Sequence, residues 1–315
     1  MDYAIIAAGE GSRLAQEGVK WPKPLVRLNG VALIDRLIDV FLKNNATSIS
    51  IIVNEEMTEV QDYLKALRLP IPFYLLVKST PSSMHSFYEL SHYLDGDKIC
   101  LTTVDTIFKE EEFSGYIQQF IQEDKLDGLM AVTDFIDDEK PLYVETDNEL
   151  YIRNFLDQAD GDCRYISGGI YCLRRPALGV LNNAISQGMS RMRNYQRQLI
   201  AEGLRLKAYP FSKIIDVDHA DDILSHKEYC LTMSKLTLAG IRRGNQFSPN
   251  HIGNDAAIFA LTAQHLRKLG CDVNEYIESD LLLQDPKEKG IFNMVRDWKS
   301  IHKLQELEDK NYFVV

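Results

Sequence analysis

The sequence predicts a three-layer α/β fold with a mostly parallel sheet, a small antiparallel flap and a C-terminal βαβ unit. Strand-like and helix-like segments alternate between residues 3 and 133, short extended segments dominate from 142 to 210, and alternation resumes after residue 235. Such alternation is typical of parallel sheets with right-handed crossovers. With 315 residues the chain can bury one large core or two smaller ones. We therefore expect two domains, residues 1–235 and 236–315.

The first part of the chain reads as strands separated by amphipathic helices. The predicted strands are Tyr3–Ala8, Ser48–Val53, Phe73–Val77, Lys98–Val104 and Gly128–Thr133. The predicted helices are Ala32–Asn44, Glu55–Leu67, Ser82–Leu94 and Phe113–Glu123. In the first of these helices Leu33, Leu37 and Phe41 recur on one stripe, as a helix that packs on a sheet requires. Ligands bind beyond the carboxyl ends of the strands in such sheets.

The later segments predict a different arrangement. Four strands with few helices between them suggest an antiparallel flap beside the crevice, at Leu142–Thr146, Leu150–Phe155, Ile166–Leu173 and Leu204–Pro210. A helix is expected at Ser190–Glu202. The C-terminal unit is predicted to contain strands Leu236–Ile241, Cys271–Ile277 and Tyr312–Val315 and helices Asn254–Leu269 and Gly290–Leu307. Because the sequence stops at a strand, we expect either a longer polypeptide or pairing of that strand with another sheet.

Composition excludes several classes of partner. The hydrophobic content of 45% and charged content of 26% are ordinary for a globular protein. The net charge of -11 argues against nucleic-acid or anionic-membrane partners, which need a basic face. We see no apolar run of membrane-spanning length and no signal peptide. The five cysteines include no Cys-x-x-Cys pair, which favours reduced thiols in a cytoplasmic protein.

The strongest motif follows the first predicted strand. Two glycines, Gly9 and Gly11, open a loop before a predicted helix, and glycines let backbone N–H groups approach a phosphate. We expect the loop to bind a nucleotide through Ala8, Gly9, Glu10, Gly11 and Ser12. Arg13 and Lys23 would add positive charge, and Lys23 is held between two prolines. A dinucleotide fingerprint is disfavoured because Leu14 replaces its third glycine. A purely structural turn remains the alternative.

Two acidic positions form a candidate metal site. Asp105 ends the predicted strand Lys98–Val104, and a carboxylate there suits Mg²⁺. Asp216 and Asp218 alternate, so they share one face of a short strand. Two carboxylates and substrate phosphates could hold one ion for phosphoryl or nucleotidyl transfer. An ordinary turn or helix cap is the alternative for Asp105 taken alone.

These residues, in this order, resemble the signature of the sugar-phosphate nucleotidyltransferases. The resemblance rests on residues 7–14 and 23–25 and extends over about residues 1–230. It implies a Rossmann-like nucleotidyltransferase fold and Mg²⁺-dependent transfer from an NTP to a sugar 1-phosphate, with release of pyrophosphate. It also implies that Arg13 and Lys23 are catalytic and that Asp105 and Asp216 bind the metal.

The chain departs from that family's pattern where the base and the acceptor would bind. Ser82 and Ser83 replace a glycine-rich segment and could contact a base or ribose, or equally cap the next helix. The Glu-Lys pair often found near the sugar is missing around 156–158, so a choline phosphate or an unusual sugar phosphate stays open as acceptor. Glu145 and Gly169 are our candidates for acceptor contacts.

Two further hypotheses complete the sequence reading. One is a catalytically silent module that binds a nucleotide or nucleotide sugar and regulates a partner. The other concerns residues 242–255, which resemble the Rossmann-like lobe that precedes ATP-grasp domains and would suggest fusion or association with an ATP-grasp-type protein. A polar loop ordered by Asn and Asp side chains is the alternative reading of that segment.

Overall fold

The computed structural model describes residues 1–9, 11–28, 30–136, 140–159, 163–220 and 222, together with the backbone of three strands at 236–240, 273–277 and 312–314. The chain divides into two compact units, residues 1–226 and 227–315. In the described part, no helix is both long enough and apolar enough to cross a bilayer.

The elements follow the alternating order that the sequence predicts. The strands of the first unit are β1 Asp2–Ala7, β2 Arg27–Leu28, β3 Val31–Ala32, β4 Ser48–Val53, β5 Phe73–Val77, β6 Lys98–Thr103, β7 Thr106–Ile107, β8 Gly128–Thr133, β9 Tyr143–Thr146, β10 Ile152–Leu156, β11 Tyr165–Arg174, β12 Leu206–Phe211 and β13 Ile215–Asp216. The helices are α1 Ser12–Gln16, α2 Leu33–Lys43, α3 Thr58–Ala66, α4 Ser83–Ser91, α5 Glu110–Gln122, α6 Arg175–Ser186 and α7 Met192–Ala201, with a 3₁₀ turn at Lys23–Leu25.

A parallel sheet lies at the centre of the first unit. β1 pairs in parallel with β4 and with β6, and β4 pairs in parallel with β5. Every residue of β1 is buried, because helices cover both faces of the sheet. On one face Ala4 and Ile6 belong to a core with side chains of α4, α6 and α7. On the other face Tyr3 stacks on Phe41 of α2, with ring centroids 4.3 Å apart. The predicted three-layer fold is confirmed.

Strand β11 interrupts the predicted parallel order. It runs antiparallel between β6 and β8, so β8 joins the sheet through β11 rather than through β6. The pairing of β11 with β8 shifts register between Ser167 and Tyr171. Gly168 lies in this irregular stretch, and a Cβ there would press on Ile214 Cδ1 and come 3.3 Å from the Ala131 carbonyl oxygen. The limited space favours glycine at this position.

The antiparallel flap is the hairpin of β9 and β10, which pairs with the start of β11.

Helix α6 was not predicted: we expected few helices in this part of the chain. Its sequence carries buried residues at helical spacing, Ala177, Leu178, Leu181 and Ala184, and Pro176 lies in its first turn, where proline is tolerated. Helix α7 falls within the predicted Ser190–Glu202.

The second unit contains three described strands, β14 Leu236–Gly240, β15 Val273–Ile277 and β16 Tyr312–Val314. β14 pairs in parallel with both of the others. Parallel pairing agrees with the predicted βαβ pattern. The helices predicted at 254–269 and 290–307, and the segment 242–255, lie outside the described residues.

Candidate active site

The loop after β1 includes a left-handed backbone conformation, which glycine adopts easily. Gly11 is the residue that precedes α1, and its φ of 61° lies in the left-handed region. A Cβ on Gly11 would come 3.3 Å from Lys23 Cβ. Both features favour glycine, because L-residues pay a steric cost at positive φ and this contact leaves little room. Gly9 and Ser12 are exposed, as a ligand-binding loop requires, and Glu10 lies outside the described residues.

Lys23 is the central cation of the site. It begins the 3₁₀ turn after Pro22, and the amide of Leu25 closes that turn on the Pro22 carbonyl at 2.8 Å. Its Nζ donates to Asp105 Oδ2 and to Asp218 Oδ1, both at 2.6 Å. Only 11% of the Lys23 side chain is exposed. A lysine held so firmly between two carboxylates is positioned before any ligand arrives.

The acidic residues come from two segments that form a small sheet. β6 ends just before Asp105, and the chain then turns into β7, which pairs antiparallel with β13. In that pairing Asp216 lies opposite Thr106, and the amide of Val217 donates to the Asp105 carbonyl at 3.1 Å. Asp105, Asp216 and Asp218 are called the carboxylate cluster below. The structure thus brings the two predicted metal ligands to one edge of the sheet.

Arg13 completes the charge pattern. Its Nη1 donates to Asp218 Oδ2 at 2.8 Å, so one carboxylate joins Arg13 and Lys23. The sequence identified Asp218 only as sharing a face with Asp216. It could not show that Asp218 would pair with both predicted catalytic cations.

The ionisation of these groups follows from their mutual contacts. Burial lowers the pKa of Lys23, but the Asp105 and Asp218 carboxylates outweigh it, so the pKa lies above its ordinary value and the ammonium is charged at neutral pH. Burial raises the pKa of Asp218, and Lys23 and Arg13 reverse this, so the pKa lies below its ordinary value.

Asp216 behaves differently. Burial in the crevice, then the charges of Asp105 and Asp218, raise its pKa to about 8. Asp216 is exposed to solvent, so the neighbouring carboxylates account for its raised pKa more than burial does. With Asp216 protonated, Asp105 and Asp218 balance Lys23 and Arg13, and ionisation of Asp216 would add one unbalanced negative charge.

A second set of contacts holds the loop against the acidic segment. Glu17, which follows α1, accepts from the Ala220 amide at 2.6 Å and lies 2.6 Å from His219 Nδ1. Asp222 accepts from the amides of Asp218 and His219. Sequence reasoning missed Glu17 and His219. The only available signal was their polarity, because 202 positions separate them in the chain.

The four remaining residues that the sequence predicted as ligand contacts lie in different parts of the first unit. Ser82 caps α4, where its hydroxyl accepts from the His85 amide at 3.4 Å, and Ser83 begins that helix. Gly169 has a φ of 73° and lies beside the hydroxyls of Thr103 and Thr106, next to the carboxylate cluster. Glu145 is exposed on β9, opposite Asn154 of β10. The base-binding role of the serines and the acceptor roles of Glu145 and Gly169 stay predictions.

The fold and this site define a class: an α/β protein whose glycine loop, lysine and carboxylates face one edge of a parallel sheet. The chain belongs to the MobA-like NTP transferase domain family, whose model matches residues 3–191, more than half of its length. The resemblance to sugar-phosphate nucleotidyltransferases that the sequence indicated is thereby confirmed at the level of the family. The likeness of residues 242–255 to an ATP-grasp-associated lobe stays a prediction.

Individual relatives are distant. The bifunctional protein GlmU of Methanococcus maripaludis is 24% identical over 242 residues, which cover 73% of this chain and 54% of the relative. The chain thus spans about half the length of the curated relatives it matches.

Two solved structures share the fold. The inositol-1-phosphate CTP transferase from T. maritima superposes with a TM-score of 0.60 at 18% identity, over 72% of this chain and 96% of that protein. HddC from Yersinia pseudotuberculosis, complexed with GMP-PN, gives a TM-score of 0.57 at 17% identity, over 72% of this chain and 98% of that protein.

Proposed function

We propose that the chain transfers a nucleotidyl group from an NTP to a sugar 1-phosphate or a similar small phosphate, and that residues 1–235 carry this activity. An acceptor phosphate oxygen attacks the α-phosphorus of the NTP, the bond to the bridging oxygen breaks, and pyrophosphate leaves with both electrons of that bond. The products are an NDP-activated compound and pyrophosphate. No protein nucleophile is required, because the acceptor supplies the attacking oxygen.

One observation carries this proposal: the buried Lys23 ammonium lies between Asp105 and Asp218 and packs against the left-handed Gly11. Gly9 and Ser12 are exposed, so the loop is open to a triphosphate. Lys23 would stabilise the charge that develops on the phosphates, since a preorganised cation acts strongly in a crevice poor in water. Arg13, with 54% of its side chain exposed, can turn from Asp218 to a phosphate.

The carboxylate cluster fits a divalent cation. Nucleotidyltransferases of this family generally use one, and hard carboxylate oxygens are the ligands that Mg²⁺ prefers. Burial and the nearby charges of Asp105 and Asp218 raise the pKa of Asp216, and a cation there would offset the negative charge that its ionisation adds, which is a second sign of fit. Within the described residues, no three acidic, histidine or cysteine side chains are arranged to hold a metal unaided, so phosphate oxygens would complete its shell. We propose Asp105 and Asp216 as the protein ligands of Mg²⁺, which when bound would neutralise and orient the triphosphate.

The test is pyrophosphate release from the full chain with each NTP, Mg²⁺ and a panel of sugar 1-phosphates and choline phosphate. Lys23→Ala is expected to lower kcat by about 100-fold or more, the usual effect of removing one preorganised group that stabilises developing charge. The exposed Lys20, changed to alanine, is the matched control and should leave kcat unchanged.

The silent binding module gives a different result. Nucleotide binding seen by calorimetry, with no pyrophosphate from any NTP and acceptor pair, would contradict transfer and support that alternative. Turnover that survives in Lys23→Ala would remove the assignment of Lys23.

A further inference from the structure

Lys23 pairs with a carboxylate that a divalent cation would need. Its Nζ donates to Asp105 Oδ2 and to Asp218 Oδ1, each at 2.6 Å. Asp105 is one of the two metal ligands proposed above, and Asp218 lies two positions after the other, Asp216. The ammonium group therefore neutralises a side chain whose negative charge the cation would use.

The pair of Lys23 and Asp105 is shielded from solvent. The two side chains are only 11% and 18% exposed. Charges attract and repel each other more strongly where water is scarce and salt screens them less. The Lys23 ammonium would therefore repel a dication that approached Asp105, so lysine and dication compete for this carboxylate.

Arg13 extends the same effect to the neighbouring carboxylate. Its Nη1 donates to Asp218 Oδ2 at 2.8 Å, so Asp218 is shared by both basic side chains. The charges of Lys23 and Arg13 balance those of Asp105 and Asp218, and ionised Asp216 would supply one further charge. Proteins usually hold Mg²⁺ through one or two carboxylates together with substrate phosphates. With the lysine in place, the carboxylate cluster is therefore a weak site for a dication alone.

A triphosphate gives both basic side chains stronger partners than one carboxylate. Arginine and lysine bind phosphate oxygens through charge-assisted hydrogen bonds. Arg13 is 54% exposed and lies in α1, directly after Gly11, and a Cβ on Gly11 would come 3.3 Å from Lys23 Cβ. Both cations therefore lie at the loop that is open to the phosphates. When Lys23 turns to a phosphate, Asp105 loses its counter-ion and attracts a dication more strongly.

We propose that Lys23 competes with the divalent cation for Asp105, and that the cation binds tightly only when nucleotide phosphates draw the lysine away. The proposal rests on the nucleotidyl transfer proposed above, because it places the triphosphate and the cation at the same site. It adds regulation to that site: metal binding depends on nucleotide binding. The exchange makes and breaks no covalent bond, and the lysine stays protonated as it moves from carboxylate to phosphate.

The first test measures Mn²⁺ binding to the full chain at fixed pH without nucleotide, by electron paramagnetic resonance. Mn²⁺ is the probe because it prefers the same oxygen ligands as Mg²⁺. Lys23→Gln removes the ammonium group and keeps a polar side chain. We expect this variant to bind Mn²⁺ at least about tenfold more tightly than the unaltered chain, because a nearby like charge is gone.

Other variants locate the effect. Asp105→Asn added to Lys23→Gln should abolish the gain, because the carboxylate that lysine released is then missing. Arg13→Gln should tighten Mn²⁺ binding by a smaller factor, since Arg13 is more exposed and contacts Asp218. Lys20→Gln is the control: this exposed lysine of the same segment should change Mn²⁺ affinity by less than about twofold.

A second measurement tests the role of the nucleotide. Water proton relaxation distinguishes Mn²⁺ held on the protein from Mn²⁺ bound to free nucleotide, because the protein tumbles slowly. Each NTP is added in turn to the unaltered chain. We expect at least one NTP to bring Mn²⁺ onto the chain at concentrations where Mn²⁺ alone does not bind.

Unchanged or weaker Mn²⁺ binding in folded Lys23→Gln would overturn the proposal, because the lysine would then not compete with the ion. If circular dichroism shows that Lys23→Gln does not fold, the exposed Arg13→Gln decides: tighter Mn²⁺ binding supports the competition and unchanged binding overturns it.

Metal binding separates this proposal from the proposed function, since it needs no turnover. A chain that releases no pyrophosphate, but binds Mn²⁺ more tightly once Lys23 is neutral, would support the competition and remove nucleotidyl transfer. Pyrophosphate release by a chain whose Mn²⁺ affinity does not depend on Lys23 would do the reverse.

Discussion

Two regions of the first unit hold basic residues against carboxylates in different environments. The first, called the nucleotide side, is the proposed nucleotide site at the glycine loop, Lys23 and the carboxylate cluster. The second, called the flap side, is the hairpin of β9 and β10 with the start of α7.

At the glycine loop, the Lys23 and Asp105 side chains are only 11% and 18% exposed. On the flap side, Arg193 pairs with Asp157, and these side chains are 32% and 58% exposed. A buried ion pair leaves a costly unpaired charge when one partner is removed, whereas an exposed pair costs little. The nucleotide side should therefore tolerate almost no change, and the flap side should accept substitutions with little loss of stability.

Asp105→Asn tests the contrast with the largest expected effect. The substitution removes one partner of Lys23 and one proposed metal ligand, so we expect kcat to fall by about 100-fold to 1000-fold. The measurement is pyrophosphate release at saturating NTP and Mg²⁺, with circular dichroism to verify folding.

Asp97→Asn is its control, since this exposed carboxylate pairs with Arg174 at the opposite end of β6. Near-normal activity in Asp105→Asn would show that the carboxylate cluster is not part of the catalytic apparatus.

Gly168→Ala probes the strand that joins the two sides. Its Cβ would press on Ile214 Cδ1 and come 3.3 Å from the Ala131 carbonyl, and Ile214 leads directly to the segment of Asp216. Overpacking of this kind costs about 1–3 kcal/mol of unfolding free energy. Urea denaturation measures it. Gly179→Ala, in helix α6 with no atom within 4 Å of the added Cβ, is the control and should not destabilise the protein.

Gly11→Ala and Gly188→Ala separate backbone strain from close approach. Both residues have positive φ, 61° and 76°, so each alanine should cost about 1–2 kcal/mol of stability. Only Gly11 faces Lys23; no atom lies within 4 Å of the Cβ position at Gly188. We therefore expect nucleotide affinity, measured by calorimetry, to weaken in Gly11→Ala and not in Gly188→Ala. Equal affinities would mean that the loop does not position the lysine.

Tyr171→Phe should have a smaller effect. The hydroxyl accepts from Gln196 in a buried position, so its loss should cost about 1 kcal/mol of unfolding free energy. Because burial and the nearby Asp216 raise the pKa of Tyr171 to about 12, the tyrosine stays neutral and the cost should not change between pH 6 and 9. A cost that varied strongly with pH in that range would assign a different role to the hydroxyl.

The two sides also differ in how much the sequence could predict. On the nucleotide side the loop, Arg13 and Lys23 lie within fifteen positions of one another, so local motif reading identified them. The partners of Lys23 are 82 and 195 positions away, and only Asp105 of that pair was selected as a functional residue. Asp216 was chosen over Asp218 because it matches the second metal ligand of the family that the sequence resembles, and alternation shows only that the two share a face. Tertiary contacts, not periodicity, decide which of two alternating carboxylates meets a given cation.

On the flap side the fold itself was harder to predict. Individual strands could be read from apolar runs, but the insertion of β11 between β6 and β8 depends on pairing among distant segments. Helix α6 was overlooked because its apolar residues were read among extended segments. Arg193 and Arg197 of α7 were not singled out, since an arginine on a helix is usually solvated. Only the structure shows that both contact Asp157.

The smallest expected effect concerns Glu17 and His219, which link the glycine loop to the acidic segment. The hydrogen bond that His219 Nδ1 donates to the Glu17 carboxylate raises the pKa of His219, and the Ala220 amide and His219 lower the pKa of Glu17. Because the His219 pKa is raised in the folded protein, protonated His219 contributes its full stabilisation at pH values below its ordinary pKa of 6.5. That contribution is lost as the pH rises through the raised pKa. Because the Glu17 pKa is lowered in the folded protein, ionised Glu17 contributes its stabilisation at pH values above its ordinary pKa of 4.5. That contribution is lost as the pH falls through the lowered pKa. The contact between Glu17 and His219 should therefore stabilise the fold most between pH 4.5 and pH 6.5.

Glu17→Gln should lower the His219 pKa towards its ordinary value in an NMR titration. Glu55→Gln, an exposed control elsewhere, should leave the His219 pKa unchanged. An unaltered titration of His219 in Glu17→Gln would show that the two residues do not interact in solution.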